Sequence, residues 1–266
     1  MTKRLAIVGA GMMGEALARG LLDEDWSAAD LILADVVQSR LDEVGKALGC
    51  ETTTDALEAA TEAEGVVLAV KPQDASGALD RIAGALGEGG LVSIVAGLRI
   101  TSLEEQLGGR PSVVRAMPNT PARVGKGVTA LAPGRFAADA TRELADSIFT
   151  SVGPVVWLEE EKLDAVTALS GSGPAYVFLV AEAMVDAGVA LGLPRDVAET
   201  LAFATIEGSG SMLRETGEPP AVLRAQVTSP GGTTAAALAV LEAMAVRAAF
   251  GEALRAAHRR SQELGS

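Results

Sequence analysis

An α/β domain built on a mostly parallel sheet, followed by an all-helical domain, is the fold this sequence predicts. Three observations carry that expectation. Residues 5–14 read L-A-I-V-G-A-G-M-M-G, an apolar strand that runs into Gly9, Gly11 and Gly14 and then into a helical pattern from Met12 to Leu22. Strand and helix patterns alternate from there to Trp157. Beyond Glu159 no convincing strand is found, and Gly-, Pro- and Ser-containing breaks separate helical stretches.

Taken in order, strands are expected at Leu5–Val8, Leu31–Ala34, Gly65–Val70, Leu91–Ile94 and Val113–Ala116, with a short one near Cys50–Thr52. Helices are expected at Met12–Leu22, Val37–Leu48, Ala75–Leu86 and Ser102–Leu107. A strand near Gly127–Leu131, a helix near Ala137–Ser151 and a strand at Val155–Trp157 extend the sheet. The helical part reads as segments near 161–168, 174–191, 195–215, 219–226 and 233–257, with a frayed tail after Ala257. The domain boundary is expected near 159–162, dividing the chain into residues 1–160 and 161–266. Tyr176–Leu191 is apolar all round except for Glu182 and Asp186. Such a helix must be buried, and burial across a dimer interface is the expectation, because large side chains are scarce.

A chain of 266 residues suffices for two domains with a sizeable core. The net charge of −13 argues against nucleic acid and anionic membrane surfaces as partners. No uninterrupted apolar stretch reads as long enough to cross a bilayer, and no signal peptide is visible before the first strand. Cys50 is the single cysteine, which excludes an intrachain disulfide and points to a cytoplasmic setting.

The glycine turn has a physical reading. Gly9 permits the turn, Gly11 lets backbone approach a pyrophosphate, and Gly14 lets helix pack on strand, while Met12 and Met13 open the helix whose free N–H groups face the phosphates. This predicts a Rossmann-type NAD(P) site. Asp35 ends the second strand, where a carboxylate accepts from adenosine ribose hydroxyls and repels a 2′-phosphate; the alternatives are a helix cap or a surface acid. Arg40 would offset that repulsion if it reached back. Ala69-Val70-Lys71-Pro72-Gln73 leaves another strand end, where backbone contact with the cofactor is expected and Lys71 faces either phosphate or solvent. Asn119, held between Pro118 and Pro121, could orient a ribose or nicotinamide or simply brace a loop.

In the helical part, Leu169-Ser170-Gly171-Ser172-Gly173-Pro174-Ala175 permits close backbone approach. Val227-Thr228-Ser229-Pro230-Gly231-Gly232-Thr233-Thr234 is a second turn leading into a helix, where N–H groups of Thr234, Ala235 and Ala236 and the hydroxyls of Ser229, Thr233 and Thr234 could bind a carboxylate. The alternative is a bare N-cap. His258 is the lone histidine, Cys50 has no histidine to activate it, and no metal-ligand cluster is visible. Hydroxyls, backbone dipoles and a cofactor suit hydride transfer to an already electrophilic carbon, such as a cyclic iminium. A hydroxyacid-type dehydrogenase needs a lysine or histidine acid/base, and Lys162 is the only lysine of the helical part. A non-enzymatic cofactor-binding sensor is a second alternative.

With these loops assembled, the chain resembles the pyrroline-5-carboxylate reductase family. The resemblance covers essentially the whole chain and rests on Gly9–Gly14, Ala69–Gln73, Met117–Pro121, Leu169–Ala175 and Val227–Thr234, of which the last three are the more specific. It implies reduction of 1-pyrroline-5-carboxylate to L-proline, the final step of proline biosynthesis. It also implies a helical dimerisation domain, with dimers that in several members assemble further, often into decamers. By motif, Gly9, Gly11, Met12, Met13 and Gly14 would hold the pyrophosphate, and Ala69, Val70, Lys71 and Pro72 would line the cofactor cleft. Asn119 would lie near the nicotinamide ribose. Ser229, Gly231, Gly232, Thr233, Thr234, Ala235 and Ala236 would hold the substrate carboxylate, with the Thr234 hydroxyl on the ring nitrogen. Many members prefer NADPH and have a small polar or Ser-Arg type loop where this chain has Asp35, so both NADPH and NADH are expected as cofactors.

Overall fold

The structure is a computed structural model that describes residues 4–86 and 89–265; the expected lead of Met1–Lys3 into the first strand lies outside them. Its first part alternates β1 (Leu5–Val8), α1 (Met12–Asp23), β2 (Leu31–Ala34), α2 (Gln38–Leu48), β3 (Glu51–Thr53), α3 (Ala56–Thr61), β4 (Gly65–Leu68), α4 (Ala75–Ile82), β5 (Gly90–Ser93), α5 (Ile100–Leu107), β6 (Val113–Met117), β7 (Thr129–Pro133), α6 (Asp139–Thr150) and β8 (Val155–Trp157). The strands form one sheet in the order β3-β2-β1-β4-β5-β6-β7-β8. Leu5 pairs with Leu31 on one side and Gly65 on the other, both in parallel register. β7 runs antiparallel to β6: the loop from Met117 to Thr129 holds only a tight turn over Thr120–Val124 and no crossover helix of the length a parallel connection needs.

Both faces of the sheet are covered, which is why its central strands read as unbroken apolar runs. Leu5, Ile7, Leu31 and Leu33 point to one side and pack with Leu17, Leu21 and Phe149. Ala6, Val8, Ile32, Val66 and Leu68 point to the other and pack with Ala59, Leu79 and Ile82. α3 is an element absent from the sequence-based expectation. Asp55 caps it by accepting from the Leu57 N–H at 2.9 Å, and the Asp55-x-x-Glu58 pattern is the signal that could have found it.

The helical part continues with α7 (Leu163–Val166), a π-turn over Thr167–Gly171, α8 (Gly173–Ala190), α9 (Arg195–Glu215), α10 (Pro220–Gln226), α11 (Thr233–Ala243) and α12 (Val246–Leu264). The expected helix over 233–257 is thus two helices. They break at Ala245, the one non-glycine with positive φ among the described residues, at 55°. The expected frayed tail is also corrected. α12 runs to Leu264, Ser261 Oγ lies 2.6 Å from Asp164 Oδ1, and Arg99 Nε donates to the Gly265 carbonyl at 2.6 Å. These bonds and the packing of Leu264 on Gly97 order the end of the helix.

By its internal contacts the chain divides into two compact units. The first runs to Ser172 and takes back the chain from Ala257; the second is Gly173–Ala256. The second unit has a small core of Val185, Ala198 and Ala202 between α8 and α9. Many of its other apolar side chains, Phe178, Leu179, Leu201 and Phe203 among them, are exposed in the single chain. The all-round apolar helix is therefore not buried within its own chain. One helical run, Glu160–Ala190, is long and apolar enough to cross a membrane, which corrects the expectation that no stretch would be; α11 and α12 together pass the same measure but bend by 50°.

Candidate active site

The first unit places its expected site residues beyond the carboxyl ends of β1, β2, β4 and β6. Gly9 has φ +111°, and a Cβ there would lie 2.5 Å from the Ala69 carbonyl carbon and oxygen and 2.8 Å from the Val70 nitrogen. The β1 turn and the Ala69-Val70 segment thus touch through backbone alone. A Cβ on Gly14 would stand 2.0 Å from the Gly9 carbonyl oxygen and 3.2 Å from Ile7 Cγ2, so α1 packs onto β1 only with glycine there. Gly11, by contrast, has ordinary φ and nothing within 4 Å of where its Cβ would be. The first helical bond is from Glu15 N–H to the Gly11 carbonyl at 2.9 Å, so the N–H groups of Met12, Met13 and Gly14 precede the ladder. An open backbone face and a helix N-terminus together fit a pyrophosphate. Lys71 is exposed at the start of a tight turn over Pro72–Asp74.

Asp35 and Arg40 both reach the glycine turn. One Asp35 carboxylate oxygen accepts from Ala10 N–H at 2.9 Å and the other from Val37 N–H at 3.0 Å. Arg40 Nε donates to the Ala10 carbonyl at 2.7 Å, and its two terminal nitrogens engage Glu15 and Glu43. Glu15 also takes Arg19 at 2.9 Å. These guanidiniums, Arg40 first, hold the Glu15 carboxyl below the usual carboxylate range, and Glu15 in turn raises Arg40. Arg40 reaches back to the glycine turn, but onto the Ala10 carbonyl and the two carboxylates. Its partners Glu15 and Glu43 form no recognisable sequence motif with it.

Asn119 is buried, and its amide is engaged on both sides. Its Oδ1 accepts from Val128 N–H at 2.9 Å and its Nδ2 donates to the Ser170 carbonyl at 3.2 Å. It ties the loop after β6 to the π-turn, the kind of helix irregularity that recurs at functional sites. Nearby, Arg115 is buried and pairs with Glu160 at 2.8 Å, and Glu160 Oε1 also accepts from Ile100 N–H at 2.7 Å. Burial pushes the Cys50 thiol up, away from thiolate chemistry.

In the second unit, Gly231 has φ +69°, and Gly232 N–H donates to the Ser229 carbonyl at 3.0 Å. Ser229 Oγ sits so close to Gly232 that a Cβ there would meet it at 2.4 Å. α11 starts at Thr233 with Gly232 as its N-cap, and Ala236 N–H already bonds back to the Gly232 carbonyl at 3.2 Å. The N–H groups that precede the ladder are therefore those of Thr233, Thr234 and Ala235; the expectation for Ala236 is corrected, since the helix begins one residue earlier than that set assumed.

Over 100% of this chain and 99% of the relative, the sequence is 44% identical to a pyrroline-5-carboxylate reductase of Synechocystis sp.. The chain belongs to the pyrroline-5-carboxylate reductase family. A relative in that family from Corynebacterium melassecola is 42% identical over 98% of both chains. The family model for pyrroline-5-carboxylate reductase dimerisation matches residues 160–264, and one described as NADP oxidoreductase, coenzyme F420-dependent, matches residues 4–97. Among solved structures, a pyrroline-5-carboxylate reductase from Coxiella burnetii superposes with a TM-score of 0.94 at 36% identity, covering 100% of both chains. A Plasmodium falciparum pyrroline carboxylate reductase with NADP bound superposes with a TM-score of 0.89 at 33% identity, covering 99% of this chain and 98% of that one.

Proposed function

We propose that this chain reduces 1-pyrroline-5-carboxylate to L-proline with NAD(P)H, as the final step of proline biosynthesis. The observation that carries the reading is the full-length match to pyrroline-5-carboxylate reductases, which spans both the glycine turn and the Ser229–Thr234 loop. The reduced nicotinamide supplies hydride to the C=N carbon. The chain's own contribution is binding and orientation. The first-turn N–H groups beyond Gly11 hold the pyrophosphate, and the Ala69–Pro72 backbone lines the cleft. Asn119 acts near the nicotinamide ribose as the brace of its loop. Ser229 and the N–H groups of Thr233, Thr234 and Ala235 hold the substrate carboxylate. The Thr234 hydroxyl bonds the ring nitrogen, orienting it and relaying a proton.

Residues 161–266 serve as the dimerisation and substrate-binding domain, and the exposed apolar surface of α8 and α9 is covered by a second copy rather than by lipid. The protein acts as a cytoplasmic homodimer, with assembly of dimers into a decamer as the further step. Purified protein supplied with 1-pyrroline-5-carboxylate and NADH or NADPH consumes the reduced cofactor and forms proline. Folded, cofactor-binding protein that forms no proline with either would sink the reading.

A further inference from the structure

We propose that the end of β2 selects the cofactor lacking a 2′-phosphate, so that this chain binds NADH in preference to NADPH. The inference rests on the reductase reading and deepens it. In this fold the adenosine ribose lies beyond the second strand, where a carboxylate favours free hydroxyls and an arginine accommodates a 2′-phosphate. Here the carboxylate is fixed: Asp35 is held by Ala10 N–H at 2.9 Å and Val37 N–H at 3.0 Å, and cannot swing away without breaking the glycine turn's support.

The cation is committed elsewhere. Arg40 is the only basic residue between Asp35 and Gly45. Its Nε is bound to the Ala10 carbonyl at 2.7 Å, one terminal nitrogen to Glu43 at 2.8 Å and the other to Glu15. Three of its five N–H donors are engaged and its side chain is 23% exposed, so a 2′-phosphate would meet a guanidinium whose charge two carboxylates already share. The local charge is three carboxylates, of Glu15, Asp35 and Glu43, against the guanidiniums of Arg40 and Arg19. Val36 and Val37, which follow Asp35, are exposed and offer a phosphate oxygen no side-chain donor.

The test measures cofactor binding without substrate, by fluorescence titration of the full-length protein with NADH and with NADPH. Wild type is expected to bind NADH more tightly by about tenfold or more, the scale of one close unit-charge repulsion at the protein surface. Asp35→Ser removes the charge, and should bring the two affinities within about threefold. Glu15→Gln combined with Glu43→Gln, which releases Arg40, should shift the ratio toward NADPH as well. Thermal melts of each variant report whether it is folded. NADPH binding as tight as NADH in wild type, or a ratio unmoved in both variants, would overturn the inference while leaving the reductase reading intact. Failure to bind either cofactor would overturn both.

Discussion

Gly9 and Gly11 stand two residues apart in one turn, yet the structure assigns them different tasks, and alanine at each separates them. At Gly9 a methyl group meets two obstacles. The φ of +111° is a conformation L-residues avoid, at a cost of about 1–3 kcal/mol. The Cβ also lies 2.5 Å from backbone atoms of Ala69, which can yield only by parting the β1 turn from the end of β4, at about 1–3 kcal/mol more. Gly9→Ala is therefore expected to lose about 2–6 kcal/mol of stability, a fall of roughly 5–20 °C in melting temperature for a unit of this size. Gly11→Ala has ordinary φ and open space within 4 Å, so its stability should stay within about 0.5 kcal/mol of wild type. In the proposed cofactor site its methyl group would fill the space through which a pyrophosphate reaches the helix N–H groups. Losing one charge-assisted hydrogen bond costs about 1.5–3 kcal/mol, a tenfold to hundredfold drop in cofactor affinity. Melting curves and fluorescence titration with NADH and NADPH measure the two effects. A Gly11→Ala variant that binds both cofactors like wild type, or a Gly9→Ala variant that melts like it, would refute the assignment.

Asn119→Ala strands the Val128 N–H and the Ser170 carbonyl, and should cost about 1–3 kcal/mol in urea denaturation; an unchanged midpoint would mean that the amide braces nothing. Thr234→Ala should lower kcat by about 10²–10³-fold with little effect on melting or cofactor binding, whereas wild-type turnover would reduce Thr234 to a first-turn helix residue. Light scattering at low micromolar concentration should return at least twice the 27.0 kDa chain mass, and a monomer at concentrations where the protein is active would contradict the covering of α8 by a second copy.

The sheet is legible in the sequence because its central strands are buried on both faces and read as short apolar runs between turn signals. The expected bounds of Leu5–Val8, Leu31–Ala34 and Val155–Trp157 match the structure to the residue. What escapes the sequence is set by tertiary contact or by residues without punctuation. The Met244–Ala245 pair cannot announce a break, since both are good helix formers, yet Ala245 takes φ 55°. The tail after Ala257 reads as frayed because its anchors, Asp164, Gly97 and Arg99, lie far away in sequence. At the candidate site, the glycines and the Ser229–Thr234 turn can be found as motifs, and Asp35 and Arg40 by their distance from the glycine turn. Their shared grip on Ala10, and the carboxylates that hold Arg40, require the fold.

The chain leaves its first compact unit at Ser172 and re-enters it at Ala257. Residues 257–265 are thus laid against elements made much earlier, Asp164 and Arg99 among them. On a ribosome, the sheet can assemble while the helical unit is still being synthesised, but these late contacts must wait until the last turns of α12 have emerged. A fusion partner attached directly after Ser266 would crowd the Gly265 carbonyl that Arg99 holds, whereas a flexible spacer would leave the contact free to form.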